Sequence, residues 1–127
     1  MKPSTVLVLA TLAAAAVTAP AFAQDVEKGQ KIFAKCKACH QVGPTAKNGV
    51  GPELNGIVGR VTATAPDFKY SDALAAKGAE GHVWTKEELA LWVADPKALI
   101  PGNKMVFVGL KKPDDVANLV AYLETLK

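Results

Sequence analysis

The sequence predicts a mainly α fold in which short helices and long loops surround one large group that the polypeptide alone does not provide. Three observations carry this. Apolar residues recur at helical rather than alternating spacing, most clearly at Val116, Leu119, Val120, Leu123 and Leu126. Between the helical stretches lie segments broken by glycine and proline, above all residues 41–64 with Gly43, Pro44, Gly49, Gly51, Pro52, Gly56 and Gly59. Near the start stands Cys36-Lys37-Ala38-Cys39-His40. Two thiols one tight turn apart can bond to the two vinyl groups of a haem, while the next residue carries an imidazole to the iron.

Two other chemistries use a cysteine pair of this spacing. A redox dithiol is expected in a strand-helix-strand setting and has no need of the histidine. A structural zinc site takes four ligands, and the whole chain holds two cysteines and two histidines. Haem attachment uses all three motif residues, so one covalent haem c through Cys36 and Cys39 is expected, with His40 on the iron.

Ahead of the motif, residues 1–23 carry Lys2, an apolar run from Val6 to Val17, and small residues at Ala21 and Ala23. This is the pattern of a secretory signal peptide cleaved after Ala23. A membrane anchor is the competing reading, but the run is shorter than the about 20 residues a spanning helix needs, and Pro20 interrupts its end. The domains are then a leader over 1–23 and a single folded unit over 24–127. The expected location is the periplasm.

In order, the folded unit opens with Asp25, Val26 and Glu27, whose acids suit the positive end of a helix, followed by Gly29, Ile32 and Phe33 at helical spacing. That first helix runs toward Cys36. After the glycine-rich segment, Ser71 is placed to cap a short helix through Ala75 that ends near Gly78 and Gly81. Thr85-Lys86-Glu87-Glu88 reads as a capping box, and Leu89, Trp92 and Val93 supply the apolar face that follows. Asp95-Pro96 closes this helix, and an irregular stretch runs from Pro96 to Lys112. The last helix starts at Pro113, with Asp114 and Asp115 in its first turn.

Charge narrows the function. The chain has 15 basic and 12 acidic side chains, and loss of the leader removes only Lys2, leaving 14 against 12. So near a balance is no nucleic-acid signature, and a folded unit of this size, with no apolar surface stripe, is expected as a monomer.

Two residues compete for the iron opposite His40: Met105, the only methionine outside the leader, and His82, the only other histidine. Met105 follows Pro101-Gly102-Asn103-Lys104 in an irregular segment able to turn a thioether inward. A gap-filling core methionine is the alternative. His82 sits beside Gly81, where a solvated loop histidine is expected. Methionine with histidine closes both axial positions and raises the potential, which suits electron transfer; an open position would suit a haem enzyme or small-ligand binder.

In GQKIFAKCKACH, VGPELNGIVGR, FKYSDAL, the tryptophan before the third helix, DPKALIPGNKM and the final helix, the chain resembles class I cytochromes c, in particular the bacterial cytochrome c2 type. The resemblance spans nearly all of residues 24–127. It implies the cytochrome c fold, with first and last helices crossing where Gly29 and Phe33 meet Leu119 and Tyr122, and axial ligation by His40 and Met105. It further implies that the Pro52 carbonyl holds the outer nitrogen of His40, and that Arg60, Tyr70 and Trp84 hydrogen-bond or screen the haem propionates. Trp92 departs from the tyrosine of mitochondrial forms, so a hydroxyl beside the methionine sulfur is not implied. The link from Phe33 to Cys36 is shorter than in those forms and the stretch from Tyr70 to Trp84 longer.

The resemblance also arranges the charges: Lys35, Lys37, Lys97, Lys104, Lys111 and Lys112 would ring the haem edge and dock acidic faces of redox partners. Those partners would be a quinol-oxidising cytochrome complex or periplasmic dehydrogenase as donor and a terminal oxidase or photosynthetic reaction centre as acceptor. The implied activity is a one-electron carrier rather than an enzyme.

Overall fold

Side-chain caps explain where the helices before the last one begin in the computed structural model. The structure describes residues 24–127, and the leader expected over 1–23 lies outside the described residues. Helix α1 (Val26–Phe33) starts at Asp25, whose carboxylate accepts the Lys28 N–H at 3.0 Å. Helix α2 (Asp72–Ala79) starts at Ser71, whose hydroxyl accepts the Leu74 N–H at 3.2 Å. Helix α3 (Lys86–Ala94) starts at Thr85, whose hydroxyl accepts the Glu88 N–H at 3.1 Å.

The capping box is only half made. Glu88 does not reach back to Thr85; the Thr85 N–H donates to the Val83 carbonyl at 2.9 Å, and the Glu88 carboxylate turns to His82 Nε2 at 3.2 Å. Asp95-Pro96 both ends α3 and starts the one-turn helix α4 (Pro96–Leu99), with Asp95 accepting the Ala98 N–H at 3.2 Å. Sequence reading treats this proline as a stop, yet the first helical position tolerates it because the N–H there has no partner in any case. Helix α5 (Pro113–Glu124) carries Asp114 and Asp115 in its first turn. Leu126 lies past its end but still packs against the core. Among the described residues there is no strand, only an isolated antiparallel bridge between Val61 and Val83.

Helices α1 and α5 cross at close range, as expected, and Asn118 joins the partners at the crossing. The backbone carbonyl of Asn118 and the Cβ of Tyr122 come so near Gly29 that a Cβ there would overlap them. Asn118 also accepts the Asp25 N–H on its side-chain oxygen at 2.9 Å, pinning the start of α1 to α5. Phe33, fully buried, meets Tyr122 ring to ring at 5.2 Å. From there the core runs through Leu119, Leu123, Trp92, Leu89 and Trp84. The long loops close over the other side of this apolar wall, leaving a cavity between wall and loops.

Candidate functional site

The motif at the end of α1 folds as one tight turn: the N–H groups of Cys39 and His40 both donate to the Cys36 carbonyl, at 3.1 and 2.9 Å. This keeps the two thiols one turn apart on a single piece of backbone. Neither is in a disulfide. Both line a cavity of about 290 Å³, as do the other residues singled out in the sequence: His40, Pro52, Arg60, Tyr70, Trp84 and Met105. Burial pushes the Cys36 thiol up, with Lys35 pulling the other way.

His40 is held at its outer nitrogen. Nδ1 stands 2.7 Å from the Pro52 carbonyl, and because a carbonyl oxygen only accepts, Nδ1 carries the proton. In the neutral ring this leaves Nε2 unprotonated, the state a metal ligand requires. Burial holds the imidazolium below its ordinary range, the Pro52 bond opposes this, and the charge of Arg60 adds to the depression. Gly51 permits the arrangement: a Cβ there would overlap His40 Cε1 and come within 2.8 Å of Nδ1. Sequence reading placed Gly51 only among loop breakers, because nothing local reveals that a ring passes over it.

Met105 reaches the cavity from the segment after α4. Asn103 shapes that approach, donating from its amide to the Pro96 and Ile100 carbonyls at 3.0 and 2.8 Å and accepting the Met105 N–H at 2.9 Å. Thus Asn103 ties the irregular segment to the end of α4. His82 does not line the cavity. The expectation of a solvated histidine is corrected as well: its ring is half-buried, with Nδ1 2.6 Å from the Thr62 hydroxyl and Nε2 facing Glu88. Thr62 comes from a loop 20 residues earlier, which no local pattern could reveal.

Arg60 and Trp84 are brought together by paired backbone bonds, Gly59 N–H to the Trp84 carbonyl at 2.7 Å and Trp84 N–H to the Arg60 carbonyl at 2.9 Å. The Tyr70 hydroxyl accepts the Ala65 N–H at 3.0 Å. The residues around the cavity fit a haem: two unpaired thiols on one turn, an imidazole with one nitrogen free, a thioether from another loop, and an apolar wall of leucine and tryptophan.

Comparison with known proteins agrees. A family model described as Cytochrome c matches residues 26–127. The chain belongs to the cytochrome c family. It is 52% identical over 99 residues to cytochrome c2 of Agrobacterium tumefaciens (strain II Chrys), covering 78% of this chain and 89% of that protein. Among solved structures, cytochrome cH from Methylobacterium extorquens superposes with a TM-score of 0.72 at 45% identity, over 80% of this chain and 98% of that one. Cytochrome c2 from Rhodospirillum centenum does so with a TM-score of 0.76 at 39% identity, over the same shares.

As a member of the cytochrome c family the chain carries one haem c, for which Cys36 and Cys39 are the attachment pair, and it is an electron carrier rather than an enzyme. Trp92, where mitochondrial cytochromes c have tyrosine, is buried in the cavity wall with its ring 5.2 Å from that of Trp84. An indole offers one N–H and no hydroxyl. Lys35 and Lys104 line the cavity, and with Lys37, Lys97, Lys111 and Lys112 they are exposed. None of the six has a carboxylate within salt-bridge distance among the described residues, whereas Lys28, Lys77 and Lys86 do. Among the described residues no helix is long and apolar enough to cross a membrane.

Proposed function

We propose that this cytochrome c is a periplasmic one-electron shuttle with His40 and Met105 as axial ligands, working between membrane or periplasmic redox complexes. The observation that carries the reading is the convergence on one apolar cavity of a histidine fixed by Pro52, a methionine steered by Asn103, and both cysteines. When bound, haem c supplies the Fe(III)/Fe(II) couple. His40 offers Nε2, and Pro52 keeps the ring from turning. Met105 offers a soft thioether, which favours the ferrous state and leaves no axial position for a substrate. Leu119, Leu123, Trp84 and Trp92 keep water off, so the charge change is felt in a medium of low polarity. Arg60, Tyr70 and Trp84 serve the propionate side.

Visible spectra of the purified protein test this directly. Low-spin spectra with a sulfur-to-iron charge-transfer band in the oxidised form, and little reaction with carbon monoxide when reduced, are expected. A high-spin spectrum with rapid carbon monoxide binding would place Met105 off the iron.

The leader over residues 1–23 exports the chain, with cleavage after Ala23. Donors of the quinol-oxidising or periplasmic dehydrogenase kind and acceptors of the terminal oxidase or reaction-centre kind would present acidic faces to the lysines around the cavity mouth. Such docking is fast and weak, because steering raises the encounter rate while a small interface releases quickly. Reversing one charge with Lys104→Glu is therefore expected to slow electron transfer to an acidic partner roughly three- to tenfold at low salt. Stopped-flow rates against ionic strength check it, and an unchanged rate and salt slope would sink the docking face.

A further inference from the structure

The wall of the cavity contains one charge that is not left to act alone. Arg60 lines the cavity, and directly behind it, outside the lining, stands Glu53. Arg60 Nη1 donates to Glu53 Oε1 at 2.9 Å and to the Asn55 carbonyl at 3.1 Å, and Nη2 donates to the Glu53 carbonyl at 2.9 Å. The second carboxylate oxygen of Glu53 is taken by the Asn55 N–H at 2.7 Å. Both side chains are largely withdrawn from water, at 17% and 20% exposed. This is a fixed, poorly screened pair at the edge of the site, unlike the lysine pairs of the surface.

From this geometry we infer that Glu53 sets the reduction potential by balancing the charge of Arg60 at the cavity wall. Glu53 touches nothing in the cavity and acts through Arg60, as a positioning residue. The inference rests on the haem-carrier reading above. On reduction the site takes up one electron and its charge falls by one. A lone guanidinium beside it favours the reduced state and raises the potential; the carboxylate cancels most of that field.

The test compares holoprotein carrying Glu53→Gln, Arg60→Gln or both, by spectroelectrochemical titration. Glutamine at 53 retains a carbonyl for the Asn55 N–H and removes the charge, together with the oxygen that accepts from Arg60 Nη1. Relative to the parent, E53Q is expected to raise the potential and R60Q to lower it, with the double variant lying between them. Each single shift should be at least about threefold in the equilibrium constant against a fixed one-electron partner, which is about 30 mV at 59 mV per tenfold. Opposite signs are the mark of charge, since a merely loosened crevice admits water and moves both variants the same way. Shifts of one sign, or an E53Q potential equal to that of the parent, would overturn the inference. Should E53Q fail to accumulate with haem, R60Q and E53Q/R60Q decide it: removing the carboxylate must still raise the potential, and no rise overturns it. Absence of a reversible haem couple in the parent would instead defeat the carrier reading itself.

Discussion

Met105→Ala is expected to open the haem iron to small ligands and to lower the reduction potential on the order of 0.1 V or more, well within the about 0.8 V that axial ligation commands. The sign follows from the thioether: it holds ferrous iron better than ferric, so its loss disfavours reduction. The reduced variant should bind carbon monoxide quickly, and the sulfur-to-iron band of the oxidised form should vanish. Met105 also packs against the core, so the alanine variant should lose about 2–5 kcal/mol of stability from the vacated volume. Met105→Leu separates the two roles. Leucine keeps most of the apolar volume but offers no lone pair, so the ligand effects should persist while the packing loss shrinks to less than about 1.5 kcal/mol beyond that of the lost bond. If the leucine variant kept the parent spectrum and potential, Met105 would be a packing residue only.

Gly29→Val should be the most damaging single change outside the cavity. A side chain at this position has nowhere to go: the obstacles are the Asn118 backbone and the Tyr122 Cβ, neither of which can swing aside as a flexible side-chain tip could. Helices α1 and α5 must then separate, loosening Phe33 from Tyr122 and breaking the bond from the Asp25 N–H to Asn118. A cost of about 3 kcal/mol or more is expected, at the upper end for overpacking. Because α1 leads straight into Cys36, haem incorporation should fall with it. Gln30→Val, on the exposed side of the same helix, should change stability by less than about 0.5 kcal/mol. Denaturant unfolding of both variants, with haem content measured beside it, checks the contrast; equal costs would mean that valine's poorer helix propensity, and not the crossing, is responsible.

Both predictions draw on residues visible in the sequence, but to different degrees. Met105 stood out because the choice of soft ligand outside the leader came down to one methionine. That Asn103 points it is a different kind of fact, since the bonds to Pro96 and Ile100 depend on a one-turn helix that the Asp95-Pro96 stop signal conceals. Gly29 against Tyr122 was expected at the crossing on the family resemblance and is found there, whereas the nearer obstacle, the Asn118 backbone, emerged only when α5 was in place. The helix starts at Asp25, Ser71 and Thr85 were legible because a cap is settled within three residues. The second half of the capping box failed for the opposite reason: Glu88 had a better partner, His82, in a loop whose position the local pattern does not encode.

By itself, the sequence determined the attachment chemistry and the local structure: a cysteine pair and histidine at haem-attachment spacing, and capped helices joined by glycine-rich loops, with one methionine offered as the candidate second ligand. These are local or compositional properties, and short-range geometry suffices for them. Only the tertiary structure decided which charges and rings are confined together. It laid His40 over Gly51, placed His82 between Thr62 and Glu88, and set Glu53 behind Arg60 at the edge of the cavity. The physical reason is desolvation, since a charge or imidazole acquires its particular strength from the water it loses and the partner it meets, and both are supplied by chain that lies far away in sequence or folds back by a turn no pattern foretells.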